Sequence, residues 1–259
     1  MLIAFDVGNT EITVGLFEGD RLVAHWRLTT HPDRTPDEWS VALGTLLLQG
    51  RQDIKQLKAG VIGSVAPAVT RPLLEGLRKL APIPTTVVDA TSPLPIVLDV
   101  EEPRSVGADR IINTLAAMER FGCDTVVVDF GTATTFDCIT QDGRFLGGVI
   151  MPGLRTSADQ LTRATAKLPA TDLEPPTRTI GRRTEECIRA GVLFGTADAV
   201  DGLVRRILAE WPTGRTPKVV ATGGLATVIV PLSKTIELAD ADLTLHGLRI
   251  AAGHLGCTW

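Results

Sequence analysis

The chain has 259 residues, 44% of them hydrophobic and 22% charged, enough apolar material for one large or two modest cores and too much for a disordered chain. Its formal net charge of −4 comes without a basic tract, which argues against a nucleic-acid partner, and no apolar stretch is long enough to span a bilayer or resembles a secretory leader. Four cysteines (Cys123, Cys138, Cys187, Cys257) and four histidines are scattered without metal-ligand spacing, so free thiols in a reducing cytoplasm and no zinc site are expected.

The first predicted element is an apolar strand from Met1 to Phe5 that meets a carboxylate at Asp6, bends through Gly8, Asn9 and Thr10, and returns as a second apolar strand to Phe17. This predicts a hairpin with an acid at its bend. Gly8 permits close approach of a ligand to backbone, and successive N–H groups in such a bend can form an anion nest. Taken alone, the same residues read equally well as an ordinary hairpin turn. A Gly19-Asp20 turn leads to a third strand, Arg21 to Leu28, then a polar loop and a helix over Asp37 to Gln49 with Trp39, Ala42, Leu43, Leu46 and Leu47 at helical spacing. Lys58 to Val65 reads as a buried strand, Pro67 to Leu80 as a helix, and Thr85 to Val88 as a short strand; such alternation predicts an α/β sheet with crossovers.

A proline-rich, acidic connector, Asp89 to Pro103, delivers the chain to Val106-Gly107-Ala108-Asp109-Arg110. Ser105 is the expected cap of a helix that buries Ile111, Leu115 and Met118. An acid beside a guanidinium in a first helical turn suits a site that accepts a hydroxyl proton and steadies an anion. A helix-start carboxylate favoured only by the helix dipole is the competing reading.

The opening pattern then returns. Thr125 to Thr135 runs a β-branched strand into Asp129, followed by Gly131, Thr132, Thr134 and Thr135, with a second strand, an Asp142-Gly143 turn and a third strand, Arg144 to Ile150. Two copies of strand, acidic glycine turn, strand, turn, strand predict a duplicated domain whose phosphate-facing turns oppose each other across a cleft. A helix from Leu154 to Ala166 and a proline-bearing loop follow, and Thr184 starts a long helix to about Trp211. Arg182 and Arg183 are readable as a phosphate clamp or as a solvated face. Lys218 to Thr222 is a strand turned by Gly223-Gly224, a pair suited to ligand approach, and Leu243 to Leu255 is a terminal helix. Neither G-x-x-x-x-G-K-[ST] nor G-x-G-x-x-G occurs, so phosphates would not be held in those two ways.

Asp6 to Thr10, Val106 to Arg110, Asp129 to Thr134, Gly148 to Gly153 and Ala221 to Gly224, in this order, resemble the type III pantothenate kinase family over nearly the whole chain. The resemblance implies an α/β fold of two ribonuclease-H-like domains of the actin, sugar-kinase and heat-shock ATPase superfamily with an interdomain cleft, here drawn as 1–115 and 116–259. It implies ATP-dependent phosphorylation of pantothenate, with Asp6, Val7, Gly8, Asn9, Thr10, Glu11, Ile12 and Thr13 around the ATP phosphates, Asp6 facing Mg²⁺, and Thr132 touching ATP from the second turn. Asp129 would hold a potassium or ammonium ion. Gly107, Ala108, Asp109, Arg110 and Thr184 would contact pantothenate, with Asp109 as proton acceptor. A cytoplasmic homodimer whose partner subunit helps close the substrate pocket is also implied.

Two residues depart from the family pattern. Many members carry a tyrosine just before the G-A-D-R motif, whereas this chain has none and shows Val100 there, and Glu11 stands where a small or amide residue is more usual. The rival functions are a kinase of another small alcohol and a non-catalytic regulatory protein of the same family.

Overall fold

Alternation along the first strand sets up two apolar layers. In β1 (Leu2–Val7), Ile3, Phe5 and Val7 enter one core and Leu2 and Ala4 another, as the period-two geometry of a strand requires. β2 (Glu11–Glu18) and β3 (Arg21–Thr29) follow as an antiparallel meander. Helix α1 (Pro36–Gln49) opens on a capping box, in which Thr35 and Glu38 satisfy each other's backbone N–H groups. β4 (Ala59–Ser64), α2 (Pro67–Leu80) and β5 (Thr85–Val88) complete a sheet of order β3-β2-β1-β4-β5, with β4 and β5 parallel to β1. Trp39, Leu43 and Leu47 of α1 and Leu73 and Leu77 of α2 cover the Ile3/Phe5/Val7 face.

After a two-residue strand, β6 (Val97–Leu98), the chain makes a 3₁₀ turn at Pro103–Ser105 and enters α3 (Ala108–Phe121). Ser105 is not the cap expected of it: its hydroxyl donates to Glu102 O at 2.7 Å within the preceding turn, and the helix begins three residues later. Ile111, Ile112 and Leu115 of α3 lie on the Leu2/Ala4 face.

The computed structural model describes residues 1–259. Its second unit repeats the first. β7 (Thr125–Phe130), β8 (Ala133–Ile139), β9 (Arg144–Pro152), β10 (Lys218–Thr222) and β11 (Leu238–Ala239) run in the order β9-β8-β7-β10-β11, with β8 antiparallel and β10 parallel to β7. Helices α4 (Leu154–Ala164), α5 (Thr184–Ala209) and the short α6 (Ala226–Ile229) intervene, and α4 and α5 cover Val126, Val128 and Phe130. The duplication expected from the two acidic strands is thus present as a repeated strand order.

One boundary differs from that drawn on chain order. The compact units are Met1–Glu119 with Leu243–Trp259, and Arg120–Asp242. The last helix, α7 (Leu243–His254), packs beside α3 on the first sheet, because Leu245, Leu248, Ala251 and Ala252 fill the Leu2/Ala4/Ala59/Val61 layer. No helix is long and apolar enough to cross a membrane.

Candidate functional site

In both copies the acid lies inside the strand, not at the bend. β1 remains paired through Val7, with Asp6 opposite Thr13 of β2 and Gly63 of β4, so Asp6 is a half-buried strand residue and the bend proper is Gly8 to Thr10. Gly8 N–H donates to Glu11 O at 3.0 Å, and a methyl group on Gly8 would fall 2.9 Å from that oxygen. Thr30, which in the sequence is only part of a polar loop, fixes the outer side of the bend: its N–H donates to Thr10 O at 2.9 Å and its hydroxyl to Gly8 O at 2.8 Å. Those bonds occupy the Gly8 and Thr10 carbonyls, and the Asn9 and Thr10 side chains are exposed.

Of the neighbouring candidates, Val7 and Ile12 are fully buried core residues, so only their backbone is available to a ligand. Thr13 shares the face of Asp6. Glu11 is exposed, and its carboxylate lies 3.2 Å from Arg27 Nη1 on β3, which offsets the extra negative charge noted in the sequence.

The second candidate cluster reaches the same sheet end from α3. Gly63, opposite Asp6, makes room for the helix: a methyl there would lie 2.2 Å from Ile112 Cδ1. Asp109, one turn before Ile112, therefore shares the face and the carboxyl end of the sheet with Asp6. Its carboxylate accepts from Arg110 N–H at 2.9 Å. Burial pushes the Asp109 carboxyl above the ordinary aspartate value of 3.8, while the Arg110 N–H and guanidinium pull the other way.

Gly107 has a direct steric role. A methyl group on it would come 2.4 Å from Asp109 Oδ1 and 3.3 Å from Val65 Cγ1, so only glycine leaves the carboxylate its place. Gly107→Ala is expected to keep the fold, because the clash is with a side-chain end that can rotate, and to lower the turnover proposed below by about tenfold or more through a displaced base. An unchanged melting temperature with reduced kcat is the result to look for. Val100 is a half-buried residue of the connector.

The second unit repeats the first turn with different ties. Gly131 N–H donates to Ala133 O at 3.1 Å, the counterpart of the Gly8 bond. Thr132 O accepts from Gly153 N–H at 3.1 Å and from Thr156 Oγ1 at 2.7 Å, so the turn is anchored to the start of α4. Asp129 pairs with Thr135 and Thr222 on its two flanks. Gly223, in the left-handed region at φ +89°, tucks beneath it: a methyl there would lie 2.4 Å from Asp129 Oδ1 and 2.7 Å from Phe130 N. This gives the Gly223-Gly224 pair a specific purpose at its first residue.

Thr184 is the first residue of α5 and lines an apolar cavity of about 810 Å³ between α4 and α5, together with Met151, Gln160, Leu161, Cys187 and Ile188. Arg182 and Arg183 are exposed; Arg182 N–H donates to Glu186 Oε2 at 2.8 Å in the first turn of the helix. Sequence reasoning missed Thr30, Thr156 and Gly63, whose residue types carry no motif and whose importance comes from cross-strand and helix-packing register.

The order β-β-β-α-β-α-β with an acid near the carboxyl end of the first strand, repeated in the second unit with two helices at its first crossover, is the fold expected from the resemblance drawn on the sequence and is shared by solved structures. Among solved structures, the activator of the 2-hydroxyisocaproyl-CoA dehydratase from Clostridium difficile with bound ADPNP shares it, with a TM-score of 0.57 at 14% identity over 98% of this chain and 93% of that one. At the level of sequence, residues 2–206 match the model of the family described as type III pantothenate kinase. Two proteins named type III pantothenate kinase are similar over nearly full length: one from Thermomicrobium roseum, 43% identical over 97% of this chain and 96% of its own, and one from Moorella thermoacetica, 42% identical over 96% and 98%. The chain belongs to the type III pantothenate kinase family.

Proposed function

We infer that this chain transfers the γ-phosphoryl group of ATP to the primary hydroxyl of pantothenate, giving 4′-phosphopantothenate, the first step towards coenzyme A. The observation that carries the reading is the Asp109 carboxylate, raised in pKa by burial, given room by Gly107, and on the same sheet face and end as Asp6. As the pantothenate oxygen bonds to phosphorus and the bond to the β-phosphate oxygen breaks, Asp109 accepts the hydroxyl proton and ADP leaves. Arg110, with Gly107 and Ala108, orients pantothenate, and Thr184 contributes from α5. The Gly8 to Thr10 bend and the Thr13 hydroxyl bind the ATP phosphates, Val7, Glu11 and Ile12 taking part through backbone alone, and Thr132 contacts ATP from the second turn. Little covalent chemistry is asked of the protein beyond this positioning.

The donors present suit the cations the family implies. Asp6, with Thr10 and Thr13 nearby in the chain, is an oxygen-only set of the kind a hard divalent ion takes along with substrate phosphates, so Asp6 is the residue that would hold Mg²⁺. Asp129, cradled by Gly223, would hold a potassium or ammonium ion. Both ions, when bound, neutralise charge on the phosphate oxygens. A homodimer fits the apolar cavity between α4 and α5, which offers a partner subunit a surface to close, and a cytoplasmic location fits the free cysteines.

ADP release by the purified protein with ATP, Mg²⁺ and potassium or ammonium, with and without pantothenate, tests the reading. Pantothenate-dependent turnover is the expected result. Turnover with another small alcohol in its place, or ATP binding that pantothenate never converts to turnover, would favour the two rivals.

A further inference from the structure

Two threonine hydroxyls near the second acidic strand are fully buried and find no hydrogen-bond partner, those of Thr134 and Thr222. A buried hydroxyl without a partner costs free energy, and where one persists it calls for an occupant that the protein itself does not provide. The two differ in which face of the sheet they occupy. Thr134 is opposite Phe130, on the face packed by α4 and α5. Thr222 is opposite Asp129 in the parallel β7/β10 pair, and residues directly opposite in a sheet project from the same face. The next residue after Thr222 is Gly223, whose backbone lies so close beneath Asp129 Oδ1 that no side chain fits. The β10 terminus therefore brings its backbone against the Asp129 carboxylate and carries an unsatisfied oxygen on the same face.

We propose that Thr222 is a second protein ligand of the monovalent cation assigned above to Asp129, an inference that rests on that assignment. One carboxylate and a neutral hydroxyl form an oxygen site of low charge, suited to an ion of charge +1, whereas multiply charged hard cations recruit several carboxylates. A trapped water would satisfy the hydroxyl equally well but would not distinguish one cation from another, which makes ion identity the deciding variable.

The test is the melting temperature of the full chain with MgADP, titrated with potassium or ammonium chloride against choline chloride at constant ionic strength. Wild type, Thr222→Val, Thr222→Ser, Thr134→Val and Asp129→Asn are compared. Valine keeps the shape of threonine and replaces the hydroxyl by a methyl group. A cation-specific rise in wild type, with the midpoint moved at least tenfold higher in Thr222→Val and Asp129→Asn but kept in Thr222→Ser and Thr134→Val, is the expected result. A wild-type midpoint in Thr222→Val, with Asp129→Asn shifted, would overturn the role of Thr222 and leave that of Asp129 intact. No cation-specific rise in wild type would overturn both.

Discussion

Asp109→Asn is expected to lower kcat with pantothenate by about 10²- to 10⁴-fold, the usual contribution of a positioned general base, while changing the KM for ATP little and the melting temperature not downwards. Asparagine keeps the shape and can still hold an oxygen towards Arg110 N–H, but it cannot accept the proton. The pH profile follows from the raised pKa. In the proposed role Asp109 works only when ionised, and burial places its protonation above the ordinary aspartate value of 3.8, so kcat/KM should fall on the acid side with a limb displaced upwards from that value. The stability linkage has the opposite sense. A carboxyl whose folded pKa is raised contributes stability that is fully present below its unfolded pKa and is lost as pH rises through the folded one. Once ionised, the desolvated Asp109 is thus a cost to the fold, and above its folded pKa the asparagine variant should be as stable as wild type or more so. Thermal melts at pH 7 beside steady-state kinetics from acid to neutral pH check both halves. A variant that loses activity and stability together would point to a structural carboxylate.

The parts of this fold legible in the sequence are those that depend on local pattern. The β-branched run before Asp129 and the apolar run before Asp6 have the same burial sequence along β1 and β7, and the repeated acid, glycine and threonine spacing pointed to the duplication because each copy must build the same turn. The extent of the strands was less accessible. Asp6 looked like a bend residue, since an acid after an apolar run usually marks a strand end, yet pairing on both flanks carries β1 through Val7. Ser105 failed as a helix cap because a 3₁₀ turn uses its hydroxyl first. Glycines 63, 107 and 223 are alike in sequence but differ in purpose: Gly63 admits a helix and Gly107 a carboxylate, while Gly223 turns the backbone itself under an acid. Such roles depend on which segments meet, information that no local spacing contains.

The terminal helix shows this limit most clearly and supports the largest stability effect expected. α7 follows the second unit in the chain, yet its apolar face belongs to the first. Leu245 lies against β2 where Gly15 has no side chain, Leu248 lies against β4 where Gly63 has none, and Gly247 lets the helix approach so near α3 that a methyl group would be 2.5 Å from Ile112 O. The buried Thr244–Asn113 hydrogen bond, 3.0 Å, ties the two helices one turn beyond Asp109. Leu248 is completely buried, so Leu248→Ala should destabilise the first unit by about 2–5 kcal/mol through lost burial and the cavity left beside Ile112. Removing Leu243–Trp259 altogether should leave Leu2, Ala4, Ala59 and Val61 without cover and prevent that unit from folding. Hydrogen exchange would separate this from a chain in which α7 is only a tail. Faster exchange is expected in β1, β4 and α3 of Leu248→Ala, while the amides of β7 and β10 keep their protection, and loss confined to β7 and β10 would contradict the assignment. Because α3 carries Asp109 at its start, the same variant should also lose turnover before it unfolds globally, which would make the last helix of the chain part of what holds the proposed base in place.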